Sequence, residues 1–139
     1  MKDHRLEIGA LTADEYIELA QSVGWKLGKC PNLTQIRQAL LLTPFIVVIR
    51  DSSGKAIAAG RVFSDDLTMT FIPDLWVRPE FQGSGVGRRI VEKIKERYGH
   101  TIFYFGAQLG NEPFFEKLGF KKGMTSFTGR FQPNPFFDS

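Results

Sequence analysis

The sequence predicts an α/β domain with a mixed central sheet of about six strands, its elements in the order β-α-α-β-β-β-α-β-α-β. Three observations carry that expectation. Apolar residues recur at three- and four-residue spacing in some segments and in near-continuous β-branched runs in others, so helices and strands are both expected. The runs 45–50 and 55–63 follow one another across a short turn and read as a hairpin, while other strand-like runs alternate with helices, which points to a mixed sheet. The chain has 139 residues, 42% hydrophobic and 24% charged, which suits one globular domain. Residues 1–131 are assigned to that domain and 132–139 to a C-terminal tail with the pair Phe136-Phe137.

The elements follow in order. Residues 5–11 read as a first strand. Thr12 and Glu15 have the S/T-x-x-E spacing of a capping box and open a helix through Ser22, with Tyr16, Leu19, Ala20 and Val23 as its apolar face. A loop, 24–31, leads to a second helix capped by Asn32 with Gln35, carried by Leu33, Ile36, Ala39 and Leu40, and stopped by Pro44. The run Phe45-Ile46-Val47-Val48-Ile49-Arg50 reads as a strand buried on both faces. Asp51-Ser52-Ser53-Gly54 is a turn, and residues 55–63 return as the hairpin partner. A polar loop, Ser64-Asp65-Asp66, precedes a strand over 70–77. A glycine-rich loop then opens a helix with the apolar stripe Val86, Ile90, Ile94 and Tyr98, and Gly99 ends it. Residues 101–107 read as a strand, 112–118 as a short helix and 122–131 as a final strand.

Reactive side chains are scarce. One cysteine excludes an internal disulfide framework and a zinc site built on several thiolates, and two histidines leave little for a His-rich metal centre, so no metal is expected. Only three tyrosines stand against 13 phenylalanines. The net charge of +3 is small, and the densest basic cluster (Arg88, Arg89, Lys93, Lys95 and Arg97) is interleaved with Glu92 and Glu96. That mixture argues against nucleic acid and in favour of a small anionic ligand. No apolar run approaches the ~20 residues that span a bilayer, and no signal-peptide core follows the N-terminus, so a soluble cytoplasmic protein without membrane partners is expected.

The segment with the most chemistry is Gln82-Gly83-Ser84-Gly85-Val86-Gly87. Glycines at alternate positions allow a tight turn and close approach of a ligand to the backbone. The helix behind them begins with amides that have no partner within it, and with the positive end of its dipole, a combination suited to phosphate. Arg88 and Arg89 could add charge at its edge. No Gly-Lys-Ser/Thr follows, which excludes a Walker A loop, and the spacing is not G-x-G-x-x-G. Spacing alone also allows a glycine-rich turn with no ligand.

Gln82-x-x-Gly85-x-Gly87 matches the Q/R-x-x-G-x-G/A signature of the GCN5-related N-acetyltransferase (GNAT) family. The run from Val77 to Gly87 resembles that family's V-x-P-E-Y-Q-G-x-G-I-G, and Phe114-Phe115-Glu116-Lys117-Leu118-Gly119-Phe120 resembles its F-Y-E-K-L-G-F. The element order is also similar, so the resemblance covers nearly the whole chain. It implies acetyl-CoA as cofactor and a sheet splayed between its fourth and fifth strands. The pantetheine arm would pair with backbone at Leu75, Trp76 and Val77. The pyrophosphate would sit on Gln82, Gly83, Ser84, Gly85, Val86, Gly87 and Arg88, with Phe115 also against the cofactor. The implied chemistry is direct attack of a neutral amine on the thioester, which needs near-attack positioning, proton removal and oxyanion stabilisation.

Many members of the family carry a tyrosine at the position of Phe115, where it protonates the departing thiolate; phenylalanine cannot. Either water and the stability of the thiolate suffice, or the chain binds acyl-CoA without turnover. Tyr104 is a substitute donor or a packed strand residue. Asp74, at the strand that meets the cofactor and among Phe71, Ile72, Leu75 and Trp76, is the candidate base acting through water, its pKa raised by desolvation; the other reading is an aspartate bonded to backbone. Asp65 and Asp66 either attract a cationic amine or are solvated loop carboxylates. The segment from Arg61 to Asp65 with Asp74 resembles a branch that includes arylalkylamine N-acetyltransferases, and Tyr16 and Trp25 are candidate pocket residues for the acceptor. Cys30 is read as a bystander and His100 as a surface or strand-entry residue. The expectation is an N-acetyltransferase acting on a small-molecule primary amine, as a homodimer by family habit. The competing readings are a protein lysine or N-terminal acetyltransferase and a non-catalytic acyl-CoA-binding module.

Overall fold

The computed structural model describes residues 4–27, 32–108, 110–134 and 136. Cys30 and Phe137 lie outside them. Nine regular elements and a short 3-10 turn are present among the described residues: β1 (Arg5–Ile8), α1 (Ala13–Ser22), α2 (Leu33–Leu41), β2 (Phe45–Arg50), β3 (Ala56–Ser64), β4 (Met69–Val77), the 3-10 turn (Pro79–Phe81), α3 (Val86–Tyr98), β5 (Ile102–Tyr104) and α4 (Glu112–Lys117). Among these residues no helix is long and apolar enough to cross a membrane.

The strands lie in the order β1-β2-β3-β4-β5. The first three junctions are antiparallel and the last, β4 with β5, is parallel; turns join β2 to β3 and β3 to β4, whereas β1 and β2 pair antiparallel with α1 and α2 between them. The strand β2 is buried on both sides, and its alternation divides the core. Ile46 and Val48 pack with Tyr16, Leu19, Ile36 and Leu40 of α1 and α2. Val47 and Ile49 pack with Val86, Ile90, Ile94 and Tyr98 of α3. A Cβ on Gly60 would stand 2.8 Å from Ile90 Cγ2, so this glycine lets α3 settle directly on the sheet.

Both helix starts form as their sequences require. Thr12 N donates to Glu15 Oε1 at 3.0 Å and Glu15 N to Thr12 Oγ1 at 3.1 Å, which completes the capping box. Asn32 Oδ1 accepts from Gln35 N at 3.1 Å. Glu15 also reaches Arg50, whose guanidinium donates to Glu7, Glu15, Ala10 O and Gly54 O and so ties β1, α1 and the β2–β3 turn together.

Three expected strand boundaries are corrected. β1 stops at Ile8 because Gly9 and Ala10 both take positive φ, 80° and 55°, and turn the chain. β5 stops at Tyr104 instead of continuing to Ala107. Among the described residues the sheet has five strands, because residues 122–131 form none and are exposed throughout. Met124, Phe127 and Phe131, the large apolar residues of that segment, are 81%, 92% and 90% exposed, so it buries nothing against the sheet.

Candidate active site

The β4–β5 junction is where the sheet opens. Only Met69, Thr70 and Phe71 of β4 pair with β5, opposite Ile102, Phe103 and Tyr104, after which β4 continues alone to Val77. Its other edge stays on β3. Arg78 N donates to Ile57 O at 2.9 Å, which makes the Ala58–Val77 pair a non-hydrogen-bonded one. The peptide groups of Leu75 and Val77 therefore face the opening, whereas that of Trp76 faces β3. A register shift between Arg61 and Phe63 marks a bulge in this pair. It places Ile72 and Leu75, three residues apart, on the α3 side, and leaves Asp74 and Trp76 on the α1 side.

The glycine loop stands at the open end. Gly83 and Gly85 have φ of 80° and 93°, and a Cβ at either would project into open space. Side chains are disfavoured there by the backbone, and the vacant volume lies over the start of α3. Arg89 N makes the first helical bond, to Gly85 O at 3.1 Å, so the amides of Val86, Gly87 and Arg88 precede the ladder. Gly87 serves packing: a Cβ would touch Phe114 at 3.4 Å and Val77 at 3.5 Å, so the helix closes on β4 and α4. Gln82 Nε2 donates to Val77 O at 3.0 Å, while the Ser84 hydroxyl turns back to Phe81 O. Arg78 is buried and anchors the base of the loop, with Nε on Ala56 O at 2.8 Å and Nη2 on Glu18 at 3.2 Å. Of the two arginines beyond the loop, Arg89 is committed to His4 O at 3.1 Å. Arg88 is exposed and, with Gly85, Glu92 and Lys93, borders a groove of about 340 Å³.

On the α1 side of β4 stands Asp74, the one buried carboxylate among the described residues. Its Oδ2 accepts from Tyr16 Oη at 2.9 Å and from Arg61 Nε at 2.5 Å. Neither expectation for Asp74, a base acting through water or an aspartate bonded to backbone, included these two side-chain donors, and proton uptake at Oδ2 requires one of these bonds to break. Burial above all, and then the carboxylate, push the Tyr16 phenol far above its ordinary range, against a smaller opposing effect of Arg61, so Tyr16 stays a donor. The Arg61 guanidinium carbon lies 5.3 Å from the centre of the Tyr16 ring. Tyr16 and Trp76 rings are 4.9 Å apart, and Trp25 stands 6.1 Å from Trp76. Tyr16 is thus brought to Asp74, and Trp25 to the Trp76 ring.

Asp65 is not. It sits in the β3–β4 turn, beyond the end of β4 remote from Val77, and accepts from Leu67 N at 3.0 Å, Thr68 N at 2.7 Å, Met69 N at 3.1 Å and the Thr68 hydroxyl. Those donors, the hydroxyl foremost, hold its carboxyl well below the usual range and make it a turn residue. Asp66 is taken by Arg97, at 2.8 and 3.1 Å, and by His100. Phe115 packs among Phe105 at 4.6 Å, Phe114 at 5.0 Å and Phe120 at 6.3 Å. That wall carries no hydroxyl. Tyr104 lies on β5 opposite Phe71, within the part of the junction that stays closed.

Arg61 is the site residue that sequence reasoning missed. A signal existed: Arg61 and Asp74 lie on either side of the Asp65 to Met69 turn at nearly equal distances, so hairpin pairing opposes them. The bulge absorbs the one-residue difference.

Comparison with known proteins agrees with this geometry. A family model described as an acetyltransferase (GNAT) domain matches residues 43–122, which hold β2 through α4 and the glycine loop. An N-acetyltransferase of Pyropia yezoensis termed ycf52, itself described as uncharacterised, is 30% identical over 124 residues, covering 84% of this chain and 69% of that one. The crystal structure of glucosamine-6-phosphate N-acetyltransferase from Arabidopsis thaliana superposes with a TM-score of 0.71 at 19% identity, covering 92% of this chain and 99% of that one. An aminoglycoside acetyltransferase from an uncultured soil metagenomic sample, crystallised with sisomicin, gives 0.72 at 13% identity over 94% and 98%.

Proposed function

The chain belongs to the GNAT acetyltransferase family, whose members use acetyl-CoA as acetyl donor, and from that premise we propose that it acetylates the primary amine of a small molecule. The observation that carries the acceptor class is the ring array on the α1 side of β4. Tyr16 bonds Asp74, the one buried carboxylate among the described residues, and Trp76 and then Trp25 extend the rings outward from Tyr16, an arrangement suited to a compact apolar body with a cationic amine. Support also comes from the aminoglycoside acetyltransferase, which shares this fold and was crystallised with sisomicin.

The residues fit the cofactor. The vacant volume over Gly83 and Gly85 and the amides of Val86, Gly87 and Arg88 suit the pyrophosphate. The peptide groups of Leu75 and Val77 suit the pantetheine amides. When bound, acetyl-CoA supplies an acyl carbon activated as a thioester, so that an N–C bond forms as the C–S bond breaks and CoA leaves as the thiolate.

Everything else falls to the chain. Asp74, oriented by Tyr16 and Arg61, attracts the acceptor ammonium and takes its proton through water. Phe115 and its neighbours offer no proton donor on the leaving side, so the thiolate is protonated by solvent. The test is release of CoA thiol with a panel of amines and lysine peptides. Turnover with small amines and none with peptides is expected; the reverse pattern sinks the small-molecule reading, and release with neither sinks transfer itself.

A further inference from the structure

The Asp74–Arg61 pair leaves part of its hydrogen-bonding capacity unused. Both donors to the carboxylate, Tyr16 Oη at 2.9 Å and Arg61 Nε at 2.5 Å, end on the same oxygen, Oδ2. Oδ1 accepts from no described residue, and neither Nη of Arg61 donates to one. A carboxylate and a guanidinium that meet through two parallel bonds satisfy one another. Here they meet through one, which leaves an acceptor oxygen on one side and two NH2 groups on the other. Both side chains are largely buried, yet no fully buried side-chain polar atom among the described residues lacks a partner, so Oδ1 and both Nη atoms reach solvent.

The rings around the pair are packed and leave its open side elsewhere. Trp76 and Phe136 lie against the Tyr16 ring at 4.9 and 6.3 Å, and the Arg61 guanidinium carbon stands 5.3 Å from Tyr16 and 5.6 Å from Phe63. Past Phe63 the same sheet face is uncovered. Phe71 lies opposite Phe63 on β4, Tyr104 lies opposite Phe71 on β5, and both are exposed. The open approach to Arg61 and Asp74 is over that face.

We propose that Arg61 binds a carboxylate of the acceptor and that the acceptor is an α-amino acid. This rests on the small-molecule reading above and narrows it. The ammonium binds Oδ1 of Asp74, and the carboxylate takes the two free NH2 groups of Arg61, whose planar fork suits it. The two charges of the acceptor must be close, because the groups that receive them belong to side chains already bonded to each other. An α-amino acid carries both on one carbon, whereas an amino sugar phosphate holds them several bonds apart and a peptide lysine has no carboxylate beside its amine. The ammonium loses one proton through water to Oδ1, and the free amine forms the N–C bond as the C–S bond breaks. The second amine proton passes to water, and a proton from solvent completes the departing thiol. The product amide is neutral at nitrogen, so Asp74 no longer holds it.

The test compares release of CoA thiol for each standard α-amino acid and its α-carboxamide, below saturation so that the ratio reads kcat/KM, with glucosamine 6-phosphate alongside. At least one amino acid should exceed its amide about ten- to a hundredfold, the range for hydrogen bonds between charged groups. In Arg61→Lys, which keeps a positive charge beside Asp74 and loses the fork, that ratio should fall toward parity. Amides as good as every amino acid, a preference for glucosamine 6-phosphate over all of them, or an unchanged ratio in the variant overturns the assignment. The same panel is titrated by calorimetry into the wild type saturated with CoA, which needs no variant to fold. An amino acid should bind about tenfold more tightly than its amide, and equal affinity throughout, or binding of none, overturns the carboxylate site. Preferential binding without thiol release refutes transfer and leaves the site standing; thiol release with no preference refutes the site alone.

Discussion

Asp74 and Arg61 form a paired charge whose side chains are only 10% and 18% exposed, so each depends on the other. Removing one partner leaves a charge away from water, which costs ~3–5 kcal/mol when burial is complete. Because Arg61 is not fully buried, Arg61→Leu is expected to destabilise the fold by about 2–3 kcal/mol in urea unfolding. The double variant Arg61→Leu/Asp74→Leu should recover much of that loss, since no unpaired charge remains. An Arg61→Leu protein as stable as wild type would show that Asp74 is solvated in solution. Chemistry is tested by a milder change. Asp74→Asn retains the shape and an acceptor for Tyr16 but cannot take a proton, so turnover should fall about a hundredfold while acetyl-CoA affinity holds. Thiol-release kinetics with calorimetric titration of CoA check both halves, and an unaltered pH–rate profile removes Asp74 from the role of base.

Among the elements, the loop leading into α3 and the start of α1 make opposite demands. At Gly85 the backbone is left-handed and the space above it vacant, so a side chain both strains the turn and fills the ligand's approach. Gly85→Val should weaken CoA binding more than tenfold, about 1.4 kcal/mol, with Asp74 and the acceptor rings undisturbed. Retained affinity would place the pyrophosphate elsewhere. At the start of α1, Glu15 closes the capping box and binds Arg50, and chiefly that bond lowers its pKa below the ordinary 4.5. A carboxyl with a depressed folded pKa stabilises the fold above its unfolded value and loses the contribution as pH falls through the folded one. Glu15→Gln should therefore unfold more readily than wild type at pH 7, and the difference should shrink below pH 4.5, as followed by thermal melts across that range. A constant gap would mean that capping geometry, which glutamine preserves in part, outweighs the charge.

At the scale of the whole molecule, the legible parts are those set by local physics. The capping box, the doubly buried run of β2, the alternate glycines and the apolar stripe of α3 each depend on a few neighbouring residues, and each formed. What was hidden depends on pairing at a distance. Arg61 reaches Asp74 only through hairpin register and its bulge, Phe136 reaches Tyr16 from the other end of the chain, and the strand expected over 122–131 finds no partner in the sheet. The same distribution governs how a ligand should act. β4 is paired along its length on β3 but only at its first residues on β5, so CoA would occupy an edge that the fold itself leaves open. A ligand that binds only the native state stabilises it by mass action, about 2.7 kcal/mol at a hundredfold excess over Kd. For a chain of this length that corresponds to roughly 9 °C in Tm. Hydrogen exchange should locate the effect. Amides at Leu75, Val77 and 83–88 should gain protection on adding CoA, residues 121–131 should exchange freely in both states, and β1 should not change. Gly85→Val should lose the thermal shift and the loop protection together. Protection appearing instead at 121–131 would mean that the cofactor orders the C-terminal segment onto β5, and that the open edge of the sheet belongs to the chain and not to the ligand.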